Sequence, residues 1–135
     1  MLQTFDIAKT FVHLREGGGA EPVNVTQSFW RAAEQRDGLV VGAFDFASSR
    51  DLHSSTQEMH PEADEVLLLV SGALAVVLEQ GDAQRTIALK TGQAAIVPRG
   101  VWHHLEMREP GRLVFINSRT GMQSRSRATR RGAVR

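Results

Sequence analysis

The chain contains no cysteine. Disulfides and thiolate metal ligands are therefore excluded, and zinc-ribbon readings with them, while the redox compartment stays open. Long apolar runs are also missing. The strongest, Val66 to Val70, falls far short of the roughly 20 residues that a membrane-spanning helix needs. The N-terminal MLQTFDIAKTFVHL lacks the basic segment and apolar stretch of a secretory leader, so the expectation is a cytoplasmic protein with no membrane partner. A phosphate-binding glycine loop, a Ser-His-Asp order and a cysteine nucleophile are absent or unsupported. Acidic residues are missing from one region only. From Arg119 onward, RTGMQSRSRATRRGAVR carries six arginines and no acid, against ten basic and fifteen acidic residues before it. The body is thus acidic, which argues against nucleic acid as the main partner. The tail has no apolar periodicity and reads as a solvated, mobile terminus over residues 118–135.

What is present fits one domain with one modest core at 135 residues. KTFVHL (9–14) reads as a short strand broken by Gly17-Gly18-Gly19. Thr26 can cap a helix over 27–36, with Phe29 and Ala33 on one face and Trp30 beside them, ended at Asp37-Gly38. Residues 1–38 thus form a strand and a short helix packed on the body of the domain. From Leu39 the pattern becomes short strands with turn signals every eight to twelve residues, near 39–46, 53–60, 65–70, 73–80, 84–89, 93–97, 102–107 and 112–117. That spacing predicts an all-β sandwich or barrel over residues 39–117. Both faces of 65–70 are apolar apart from Glu65, so this strand is expected to be buried on both sides. The doubly apolar strand 65–70 and the spare N-terminal strand predict a homodimer, because an open edge strand invites pairing.

Two stretches carry the chemistry. In EMHPEADEVLLLVSG (58–72), Glu58 and His60 are two apart, so on a strand they share a face. Glu65 can join them from the next strand, where a buried charge needs a partner. Glu58, Glu62, Asp64 and Glu65 lie within eight residues and repel one another, which a cation relieves. The second stretch, GQAAIVPRGVWHHLEM (92–107), holds His103, which a closed barrel would bring to the first. Imidazole and carboxylate together suit a divalent metal ion. His104 points to the opposite face of its strand, and His53, an odd seven residues before His60, faces away. Arg99, beside the presumed barrel mouth, is a candidate for holding an anionic substrate.

These stretches resemble the two motifs of the cupin superfamily. The first is met as Glu58-x-His60, four residues, Glu65, six residues, Gly72. The second is met as Gly92, five residues, Pro98-x-Gly100, two residues, His103, three residues, Met107. Glu58 stands where the family has its first histidine, and Met107 where it has asparagine. The resemblance implies a double-stranded β-helix, a jelly-roll-like barrel. It also implies a divalent ion (Mn, Fe, Ni or Zn) held by Glu58, His60, Glu65 and His103. Three functions are compatible with it: a metal-dependent enzyme on a small polar or anionic molecule, of the oxygenase or isomerase kind; a non-catalytic small-molecule sensor; or a structural dimer with a relic site.

Overall fold

Every strand pairing among the described residues is antiparallel. A computed structural model of the chain describes residues 3–26 and 37–127. Its strands are β1 (Thr10–Leu14), β2 (Ala20–Asn24), β3 (Leu39–Phe46), β4 (Thr56–Met59), β5 (Glu65–Gln80), β6 (Ala83–Lys90), β7 (Ala94–Val97), β8 (His103–Asn117) and β9 (Gln123–Ser126). The chain is therefore all-β. The helix expected over 27–36 lies outside the described residues. Among those described, the helical element is a single 3-10 turn, Ser49–Leu52, so a short N-terminal helix has no support.

The two long strands define the architecture. β5 and β8 lie side by side along their whole length and are bent midway. One half of each joins a sheet ordered β2-β1-β3-β8-β5-β7. The other halves join a second sheet, β9-β4-β8-β5-β6. The turns expected at Ser71-Gly72 and Pro110-Gly111 do not break the strands. They become the bend, where the register slips between Leu69 and Leu74. Glycine is required there because the backbones nearly touch. A Cβ on Gly72, at φ 91°, would lie 2.5 Å from the Pro110 carbonyl oxygen, and one on Gly111 would overlap the Ser71 carbonyl. Pro110 is tolerated because a bulge needs no ladder donor at that point.

The alternation read from the sequence places Leu67, Leu69, Leu113 and Phe115 inward from the first sheet, and Leu74, Val76, Leu78 and Leu105 inward from the second. One expectation is reversed. The outer face of 65–70 is not covered: Leu68 is 39% exposed and Val70 49%. The stretch buried on both faces is instead Leu74 to Leu78, in the other half of the same strand.

Two segments went unread as strands. β2 is a polar edge strand containing Pro22, closed onto β1 by the triple-glycine turn, where Arg15 N–H bonds the Gly19 carbonyl at 2.8 Å. β9 lies in the expected mobile tail, which does not hold as such over residues 118–127. Thr56 to Met59 pair with Ser126 to Gln123, and Ser118 and Arg119 are buried. Arg125 stacks on Trp102 with its guanidinium carbon 3.9 Å from the ring centroid, and it bonds the buried Gln57 at 2.8 Å. These contacts hold a strand that has no apolar face.

Candidate metal centre

The end of β4 supplies the first two residues of the site. Glu58 pairs directly with His103 across the β4–β8 ladder, so both side chains enter the barrel from the same face. His60, just past the strand end, reaches them from the start of the β4–β5 loop. Gly100 N–H ties that loop to the Pro98-Arg99-Gly100 turn by bonding the His60 carbonyl at 2.9 Å. The donor atoms of Glu58, His60 and His103 all lie within 4.8 Å of one another.

Glu65, the fourth expected ligand, opens β5 and is 4% exposed. It lies outside that three-residue group but touches two of its members. Its Oε1 is 2.9 Å from His103 Nε2, and its Oε2 is 3.6 Å from His60 Nε2. Oε2 also accepts a 2.6 Å hydrogen bond from the Asn117 amide. One carboxylate therefore meets the first and last residues of β8, His103 and Asn117.

Both imidazoles are oriented from behind. His60 Nδ1 donates to the Ser118 carbonyl at 3.0 Å, and His103 Nδ1 donates to the Val101 carbonyl at 3.1 Å. That leaves each Nε2 as the nitrogen turned toward the cluster, the arrangement of a metal-ligating histidine. Burial holds His60 below the usual histidine range, against the pull of Glu65 and Glu58. It is therefore neutral, and its buried Nε2 has no hydrogen-bond partner. Burial alone would raise Glu65 and lower His103. Their hydrogen bond and opposite charges outweigh it, so Glu65 titrates below and His103 above the ordinary value. An orphaned neutral nitrogen, a second imidazole and two carboxylates at this spacing fit a divalent ion.

The remaining candidates lie elsewhere. His104 faces the opposite side, as expected, and pairs with Glu106 at 2.9 Å. His53 has left-handed backbone, φ 52°, and stands at the cavity rim outside the cluster. Arg99 is 66% exposed and pairs with Asp64, so the anion-binding role considered for it has no geometric basis. Two arginines do line the cavity, the exposed Arg50 of the 3-10 turn and Arg119, 8% exposed. Arg119 and Asn117 were not read as site residues. Only their places beyond the second motif could have marked them, and no spacing rule covers those.

Residues 52–118 match the family model described as the cupin domain. None of the curated proteins compared matches the sequence. Among solved structures, the chain is similar to a cupin-2 domain containing protein from Shewanella frigidimarina (18% identity, 59% of this chain and 70% of that one, TM-score 0.47). It is similar also to Bacillus subtilis oxalate decarboxylase, studied for its Mn(II) centres (18%, 65% and 23%, TM-score 0.50). A third is an oxalate oxidase in complex with the substrate analogue glycolate (22%, 63% and 45%, TM-score 0.50). The chain spans less than half the length of either oxalate enzyme, and at these identities the likeness is one of fold.

Proposed function

Because this chain belongs to the cupin superfamily, we propose that it holds a divalent metal ion through Glu58, His60, Glu65 and His103 and acts on a small anionic molecule bound there. The observation that carries this reading is the buried, neutral His60 with its Nε2 unbonded beside His103 and two carboxylates. An ion there would supply Lewis acidity and open coordination positions for a ligand. Two carboxylates leave the centre close to neutral, and oxygen donors beside imidazoles suit manganese or iron. The Mn(II) centres named for the oxalate decarboxylase make manganese the first ion to try.

The reaction class is oxidative or isomerising rather than hydrolytic. Outside the four ligands, the cavity's carboxylates and ring nitrogens among the described residues are Asp45, Asp51 and His53 at the rim, and His104, whose ring pairs outward. Among the described residues no acid–base pair would stand beside the ion, so the chemistry would fall to the metal. The same scarcity supports a second reading, a binding or sensing module without turnover.

A homodimer completes the proposal. The outer face of the first sheet carries an uncharged row, Val12, Val41, Ile116, Val66 and Ile96, each directly opposite the next. Ile96 is 65% exposed. Two such rows can stack as sheets do in a sandwich, with no charge within the row to repel a second copy.

The test is titration of chelator-treated protein with Mn(II), followed by electron paramagnetic resonance. One equivalent should bind per chain, and His60→Ala or His103→Ala should abolish binding. A wild-type protein that takes up no manganese, iron, nickel or zinc would overturn the reading. Turnover in air by the iron-loaded form separates enzyme from sensor.

A further inference from the structure

A second hollow, of about 640 Å³, lies where the 3-10 turn, β8 and the end of β9 meet. It falls within the roughly 300–1,000 Å³ of sites that take small molecules. Each of the three elements brings an arginine to it: Arg50 from the turn, Arg108 from β8, and Arg127 from just past β9. Arg50 and His53 also line the barrel cavity, so the turn stands between the two hollows. The backbone behind these side chains is tied down. Arg127 N–H donates to the Ser55 carbonyl at 2.8 Å, the Ser54 hydroxyl to the Leu105 carbonyl at 2.7 Å, and His53 N–H to the Arg50 carbonyl at 3.0 Å.

The charge in this groove is not matched. Among the described residues, Glu106 is the one acid that lines it. Glu106 already takes the His104 ring at 2.9 Å, and it stands 3.5 Å from Arg108 and 3.6 Å from Arg127. The two arginine distances are those of ion pairs, longer than ordinary hydrogen bonds. Arg50 has neither an ion pair nor a side-chain hydrogen bond among the described residues. Its neighbour Asp51 is turned back on its own turn, accepting from the Ala47 N–H at 2.8 Å and the Ser48 N–H at 3.3 Å. Three guanidiniums against one carboxylate leave two positive charges, with donor forks not yet spent on the protein.

We propose that this groove binds a phosphate group, as the free ion or on a small molecule. A phosphate monoester carries about −1.5 to −2 charge at pH 7 and three strong acceptor oxygens. Those oxygens suit guanidiniums arriving from three directions, and the charge suits the two that Glu106 leaves over. The exposed hydroxyls of Ser49 and Ser55 add donors at the edge. A carboxylate, with one charge and two oxygens, would leave one arginine unmatched. The acidic body of the chain opposes a nucleic acid as the source of the phosphate. The site goes beyond the metal reading and does not rest on it.

The experiment is calorimetric titration of the full chain with glycerol phosphate, inorganic phosphate and acetate, at about 0.1 M salt so that long-range attraction is screened. The protein is first treated with chelator and dialysed, so that no metal takes up the phosphate. Glycerol phosphate should bind at one site per chain, at least about tenfold more tightly than acetate. Arg50→Gln and Arg108→Gln should each weaken it by at least about fivefold. Arg85→Gln, at an exposed position on β6 outside the groove, should leave it unchanged. Tighter binding of the ester assigns a phosphorylated molecule as the ligand, and equal binding of inorganic phosphate assigns the free ion; both uphold the site. Absence of phosphate binding would overturn it, as would acetate binding equally well, or Arg108→Gln losing no more than Arg85→Gln. A short DNA duplex that binds more tightly than glycerol phosphate at equal phosphate concentration would overturn the small-ligand assignment. Melting curves check that each variant folds. If Arg108→Gln does not fold, Arg50→Gln and the charge-keeping Arg108→Lys, expected to stay within about threefold of wild type, decide.

Discussion

His60 donates its Nδ1 hydrogen to the Ser118 carbonyl, across 58 positions of sequence. The bond ties the first motif to a segment lying after the second. Through that segment the chain runs on into β9, which returns to pair with β4 and so with Glu58.

A variant ending at Ser118 should therefore be damaged at the site. It loses the β9 ladder, the Arg125 bond to buried Gln57, and Arg119. Its melting temperature should fall by about 5 °C or more, and its Mn(II) affinity by about tenfold. Wild-type values for both, by calorimetry and metal titration, would mean that β9 contributes nothing.

Glu58 tests the departure from the family's usual histidine. Glu58→Gln should weaken Mn(II) binding by at least about tenfold. Glu58→His should restore binding and move selectivity toward zinc or nickel. If Glu58→Gln leaves affinity and selectivity unchanged, the protein ligands reduce to His60, Glu65 and His103.

Asn117→Leu removes the amide that satisfies one oxygen of the buried Glu65. The metal-free protein should lose about 1–3 kcal/mol of stability by denaturant titration, the cost of an unsatisfied buried acceptor. Part of that loss should return when Mn(II) is added. A neutral effect in the metal-free form would show that Glu65 finds another donor.

Asp45 bonds Arg112 across the β3–β8 ladder, and that hydrogen bond holds its carboxyl below the ordinary 3.8 against a small opposing effect of burial. Because the folded value is the lower one, the pair's stabilisation is fully present above pH 3.8 and is lost as the pH falls through the folded value. Asp45 is exposed and Arg112 only half-buried, so solvent screens the pair and the effect is small. Asp45→Asn should flatten the acid limb of the stability curve slightly. The carboxyl shift of Asp45, followed by nuclear magnetic resonance, should titrate below 3.8.

Sedimentation should give a dimer at micromolar concentration. Leu68→Glu with Ile96→Glu should give a folded monomer, because charge placed on the uncovered face opposes its stacking. A wild-type monomer, or a dimer indifferent to both changes, would remove this face as the interface.

Much of this was legible in the residues. Strand alternation and turn spacing foretold the all-β barrel, and the positions of Glu58, His60 and His103 brought three donors to one point. The bends could not be read. Ser71-Gly72 and Pro110-Gly111 have turn chemistry, and only the partner backbone pressed against them makes a bend of each. Burial on both faces was assigned to 65–70 from its composition, yet which face is covered depends on what packs above it. β9, Gln-Ser-Arg-Ser, carries no periodic signal because its stability comes from ladder bonds and from an arginine lying on Trp102 and Gln57. Arg119 was lost in the same way: within a run of six arginines, one that turns inward looks like the rest.

Glu65 grips both ends of one strand. β8 has fifteen residues, about 50 Å if drawn out straight, yet His103 and Asn117 each bond an oxygen of the same carboxylate. The strand is a strap wound round the barrel, and the proposed ion's site is its buckle. A displacement of that carboxylate therefore acts on both ends of the strand at once.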